Sequence, residues 1–197
     1  MSLLELIARA DERGLAASAV ACLDRCLPPP DDRDDPEPLR TLWAGCENGA
    51  QWAGRLDAVQ AALESAAGTD ATTARVRALL GGAPRDFAAG PLRAWADACS
   101  LLAVDVHREF DFPAVDGTAE SLRLRAGGTD EAGPLVTGEL RRQAEILESL
   151  AGAPGPVGGG TGLRRVLDLS TEGRRVLRAV MSRRARGRGR PGDVAPQ

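Results

Sequence analysis

The sequence predicts an all-α protein: a single irregular bundle of about six to eight helices followed by a disordered Arg/Gly-rich C-terminal tail. Three observations carry that expectation. Apolar residues recur at i, i+3 and i+4 through most of the chain, the spacing of helices that each turn one face to a core. Prolines, glycines and capping residues punctuate these stripes at helix-length intervals. Strand-like alternation is confined to "SLRLRA", residues 121–126, and one short strand cannot build a sheet alone.

Taken in order, the chain opens with Ser2 and Glu5 at capping-box spacing, so a helix is expected from the first residues. Its apolar spacing continues to Pro28, Pro29 and Pro30, with Gly14 as the expected bend or division into two helices. Cys22 and Cys26 fall with Leu15, Ala19 and Leu23 on the apolar face, so these thiols are expected as small core residues. The stretch "GLAASAVACLDRCLPPP" is similar to the second helix of a tetratricopeptide repeat. No later segment repeats it at the required period of about 34 residues, so no repeat array is expected.

"DDRDDPE", residues 31–37, is a dense acidic run without apolar neighbours and is expected as a solvated loop. It lacks the central Gly and distal Glu of a Ca²⁺-binding loop. Three stripes follow: Leu39, Leu42, Trp43 and Cys46; then Trp52, Leu56, Val59 and Leu63; then Leu92, Trp95, Cys99, Leu102 and Val106. Between the last two, Thr69 or Asp70 is placed to cap a shorter helix carrying Val76, Leu79 and Leu80, and Pro91 suits a first helical turn. Pro134 is expected to begin another helix with Leu135, Val136, Leu140, Leu147 and Leu150 inward. The organisation expected is a helical domain over residues 1–151, a Gly/Pro-rich linker over 152–162, a basic amphipathic helix over 163–185 and a disordered tail over 186–197.

Composition removes several kinds of chemistry. There is no Lys, hence no Schiff-base lysine and no P-loop. The four cysteines form no C-x-x-C pair and fit no common zinc spacing, so no metal and no cofactor is expected. The absence of a signal-like layout or a long apolar run leads to the expectation of a cytoplasmic protein with no transmembrane segment. His107 is the only histidine and has Asp111 one helical turn on, with Asp105 and Glu109 nearby. A triad needs a nucleophile and a metal site needs more donors, so a partly exposed His beside ordinary carboxylates on a solvated helix edge is expected. "GPVGGGTGLRR" lacks the Gly-Lys-Ser/Thr ending of a phosphate loop and is read as linker.

Charge is distributed unevenly. Residues 174–197 hold eight Arg and one Asp, while residues 1–173 hold seventeen Arg against twenty-seven acids, so an acidic body carries a cationic end. Such asymmetry points to an acidic partner for that end. Within it, Arg188-Gly189-Arg190-Pro191 resembles the Arg-Gly-Arg-Pro core of the AT-hook, flanked here by Arg183, Arg184 and Arg186. That resemblance implies minor-groove insertion by Arg188 and Arg190, while sequence-independent phosphate attraction explains the same charge without it. "LSTEGRRVLRAV", residues 169–180, resembles the entry to a LuxR-type helix-turn-helix. The second helix is missing, so Ser170 and Thr171 are read as an ordinary helix cap. The function expected is that of a non-enzymatic regulatory or adaptor protein that binds an unidentified protein partner. The alternative is a nucleic-acid-associated accessory protein using Arg183, Arg184, Arg186, Arg188 and Arg190.

Overall fold

A computed structural model describes residues 1–27, 38–47, 49–65, 70–111, 118–128, 132–151 and 159–188. The expected acidic loop lies outside the described residues apart from its flanks, as do most of the linker and all of the tail beyond Arg188. The described residues form nine helices and no strand: α1 (Leu3–Arg9), α2 (Glu12–Cys26), α3 (Arg40–Gly45), α4 (Trp52–Ser65), α5 (Ala71–Gly81), α6 (Ala89–Asp111), α7 (Thr118–Arg125), α8 (Pro134–Ala151) and α9 (Gly159–Arg188).

Helix α2 is the axis of the bundle. Every residue from Gly14 to Cys26 is buried, which fits a helix with little polar surface enclosed on all sides. It packs against α6, α8 and α9, and also touches α3 and α5. Its alanines and Ser18 leave room for those neighbours. The second axis, α6, packs on α2 along one side and meets α8, α7, α1 and α5 elsewhere. Helices α3, α4 and α5 form a flank stitched to this centre by aromatic residues. The Trp52 ring meets Trp95 and Phe87 edge-on at 5.8 and 5.5 Å. Both indoles donate to backbone carbonyls, Trp52 to Pro84 and Trp95 to Leu79, at 2.8 Å. The turn between α3 and α4 needs Gly49: its φ is +71°, and a Cβ there would stand 2.6 Å from the Phe87 ring.

Local signals set most boundaries. The Ser2–Glu5 capping box is complete, each side chain bonded to the other residue's backbone N–H. The first helical region divides at Ala10 and Asp11, earlier than Gly14, because Asp11 caps α2 by accepting from the Gly14 N–H at 2.7 Å. Asp70 caps α5, accepting from Thr73 N at 2.9 Å. The stretch that alternates like a strand is instead helix α7. Its inward residues Ser121, Leu124 and Arg125 follow i, i+3, i+4 spacing, while Leu122 is exposed. The last helix starts at Gly159, inside the expected linker, and runs unbroken to Arg188, so Ser170 and Thr171 lie in mid-helix and cap nothing. Ser170 is buried and donates to Asp24 at 2.8 Å.

All four cysteines are buried free thiols, as core residues should be. Burial pushes the Cys22 thiol up to about 12 and raises Cys26, Cys46 and Cys99 above the ordinary range.

Candidate functional site

At the centre of the bundle lies a buried polar network. Arg25 on α2 faces Glu139 on α8, both with fully buried side chains, and donates from Nε at 2.9 Å and from Nη2 at 2.5 Å. Gln143, one turn along α8, donates to Glu139 at 2.8 Å and accepts from Ser100 at 2.5 Å. Ser100 in turn accepts from Arg125 at 3.0 Å, and Arg125 reaches Asp97. Arg142 approaches Glu139 to 3.9 Å from the other side. Burial works against the Glu139 charge, yet Arg25 first and His107 next hold its carboxyl down to about 2. Burial also opposes the Arg25 charge, and Glu139 reverses that, so its pKa moves up.

His107 belongs to this network and is fully buried, not partly exposed as its neighbours suggested. Its Nδ1 lies 2.7 Å from the Ala103 carbonyl, and its Nε2 stands 3.6 Å from Glu139 Oε2, beyond hydrogen-bond range. Asp111, the expected companion, instead caps α8 by accepting from Leu135 and Val136 N–H groups at 3.1 and 3.0 Å. The expected solvated pair is solvated only at Glu109, and Arg75 bridges its two carboxylates. Asp105 is buried and accepts from Ser121 and, at 3.3 Å, from Arg75, which also donates to Glu109 at 2.8 Å. Among the described residues no Ser, Thr or Cys is hydrogen-bonded to His107, and no group of three or more metal-ligating side chains is present.

Beside the network, between α2, α5, α6 and α9, is a cavity of about 400 Å³. Leu27, Val106, Phe110, Leu177 and Met181 supply apolar wall, and Met181 is 44% exposed at the rim. Arg25, Arg174 and Arg178 are its cationic members and Asp70 its acidic one. Arg25 comes this close to α9 only because residue 173 is Gly. A Cβ at Gly173 would sit 2.3 Å from Arg25 Cδ.

The same helix carries the cationic end. At 3.6 residues per turn, Ser170, Gly173 and Leu177 face the core, and Arg175, Arg183 and Arg186 lie exposed on the opposite side. Arg178 sits on the flank between that side and the cavity. Arg184 turns inward: its guanidinium lies 5.1 Å from the Phe110 ring centre and donates to the Glu109 and Phe110 carbonyls at the end of α6. It is a C-terminal cap for α6. Of the expected polyanion-binding arginines, then, Arg183 and Arg186 are presented outward and Arg184 is committed to the fold. Arg188 is the last residue of α9, and Arg190 lies outside the described residues.

Sequence reasoning missed Arg25, Glu139, Gln143, Ser100 and Arg125. A signal was present: each polar residue stands in phase with apolar neighbours, as in Val136, Glu139, Gln143 and Ile146. No helix among the described residues is long and apolar enough to cross a membrane. No protein-family model, no curated protein and no solved structure matches the chain.

Proposed function

We propose that this chain is a non-enzymatic regulatory or adaptor module that works by binding an acidic surface on another macromolecule through α9. The observation that carries the reading is the two-sidedness of that helix. Its inner side is fastened by Leu177, by Ser170 on Asp24 and by Arg184 on Phe110. Its outer side beyond Glu172 presents only arginines as charged groups. A rigid row of like charges focuses an electrostatic field and selects partners of opposite sign. The body's acidic excess limits the same attraction elsewhere. The buried thiols, unfit as nucleophiles, agree with a protein that acts by binding. Four unpaired cysteines fit a reducing, cytoplasmic setting.

A nucleic-acid partner is the second reading, favoured by the sequence Arg188-Gly189-Arg190-Pro191 that follows these arginines. Affinity capture from cell extract separates the two, using the full chain and an Arg175→Gln, Arg183→Gln, Arg186→Gln variant, each with and without nuclease. Partners lost in the variant and resistant to nuclease support a protein partner; partners lost in both ways support nucleic acid. A variant that keeps every partner contradicts the α9 assignment.

A further inference from the structure

The cavity beside Arg25 has the size, wall chemistry and charge of a ligand site. Its volume of about 400 Å³ lies within the range of about 300–1,000 Å³ typical of small-molecule sites. Most of its wall is apolar, so water within it would find few partners. The polar groups that remain are unequal. Both Asp70 carboxylate oxygens are engaged by Thr73, at 2.9 Å from its N–H and 2.5 Å from its hydroxyl, which leaves that acid to its capping role. Arg25 is fully buried in the wall, and its Nη1 has no hydrogen-bond partner. That atom has no accessible surface of its own, so among the lining residues the cations a ligand can reach are Arg174 and Arg178 of α9.

The surrounding charges agree. Arg25, Arg142 and Arg174 converge on two carboxylates, Glu139 and Asp24, with Arg142 at 3.9 Å from the first and Arg174 at 3.5 Å from the second. With Asp70 counted these three guanidinium groups are balanced, and Arg178 leaves one positive charge in excess at the wall. We propose that this cavity binds a small amphiphilic carboxylate, its aliphatic chain against Val106, Phe110, Leu177 and Met181 and its head group against Arg174 and Arg178 of α9, with the buried Arg25 adding positive charge. Arg174 is already paired with Asp24 at 3.5 Å, so Arg178 carries the head-group contact, which suits one compact, singly charged head, whereas a phosphate asks for a second cation. The site uses the inner side of α9 and goes beyond the proposed function, since it holds whatever the outer arginines bind.

The test is calorimetric titration and thermal melting of the full chain with sodium decanoate, decanol and decylamine, each below its micelle-forming concentration. These share one tail and differ in head charge. The expected result is saturable binding of one decanoate per chain with a rise in melting temperature, decanol weaker by about tenfold or more, and no saturable binding of decylamine. Met181→Trp fills the cavity from its exposed rim and is expected to weaken decanoate by about tenfold. Arg178→Gln, also exposed, is expected to weaken decanoate and leave decanol unchanged. Absence of saturable decanoate binding overturns the proposal, as does equal affinity for all three probes or decanoate affinity unmoved by both variants. The Arg175→Gln, Arg183→Gln, Arg186→Gln variant is expected to bind decanoate normally, so failure of the cavity and failure of the outer face are read separately.

Discussion

Replacing Glu139 by Gln keeps the shape of the side chain and removes the charge that Arg25 is buried against. Both side chains are completely enclosed, so no water can take over from the lost carboxylate. Removing one partner of a buried pair costs about 3–5 kcal/mol because the other charge stays behind uncompensated. Proton linkage gives the same size. The fall of the Glu139 carboxyl from its ordinary 4.5 to about 2, at about 1.4 kcal/mol per pH unit, is worth about 3 kcal/mol. The sign follows from the direction: a pKa lowered by folding contributes stability that is full above about 4.5 and drains away as pH falls toward 2. Urea unfolding followed by circular dichroism at pH 7 and pH 3 reads both. Glu139→Gln is expected to lose about 3–5 kcal/mol at pH 7 and less at pH 3. The double variant Arg25→Met, Glu139→Leu, which removes both charges, is expected to be more stable than Glu139→Gln alone. A loss under about 1 kcal/mol at pH 7, the size of an exposed pair, or an equal loss at both pH values, would mean that Arg25 is not held by a buried Glu139 carboxylate.

Trp52→Ala and Trp95→Ala each open a cavity and orphan a backbone carbonyl, so each should cost about 3–5 kcal/mol in the same assay; variants that melt with the parent contradict the flank described. Gly173→Val should destabilise by about 1–3 kcal/mol through overpacking against the Arg25 stem, and unchanged unfolding would show that α9 does not approach α2 so closely. Chelation should leave helical content and melting temperature unchanged, measured by circular dichroism with metal analysis; stoichiometric zinc lost together with the fold would overturn the reading of the cysteines as packing residues.

The sequence disclosed the helical class because apolar spacing is a one-dimensional trace of a buried face. Trp52, Trp95, Leu56, Val59 and Leu92 stand where their stripes put them. The centre was hidden for the complementary reason. Arg25, Glu139, Gln143 and Arg125 occupy inward positions as polar residues, and their partners lie as far as 114 positions away, a distance that local spacing cannot bridge. The same blindness made α7 resemble a strand, since its buried Ser121 and Arg125 read as a solvent face. His107 and Asp111 were correctly placed one turn apart, but proximity along a helix does not decide which neighbour each side chain meets. In the cationic end, sequence gave the charge but not its direction. Only the helix phase of α9 separates inward Arg184 from outward Arg183 and Arg186.

That separation can be measured. Fluorescence anisotropy of a labelled DNA duplex and a labelled poly-glutamate chain, titrated with the protein across a salt series, reports whether the outer face of α9 is a polyanion-binding surface. Binding is expected at low salt, with log K falling linearly with log salt and, for the duplex, a slope near −0.9 for each phosphate neutralised. Arg183→Gln and Arg186→Gln should each shallow the duplex slope by about one such increment. Arg184→Gln should leave the slope unchanged and lower the melting temperature, because that side chain holds α9 to the end of α6. If neither polyanion binds at low salt, or if Arg184→Gln alters the slope while Arg183→Gln and Arg186→Gln do not, the outer face of α9 is not the contact surface.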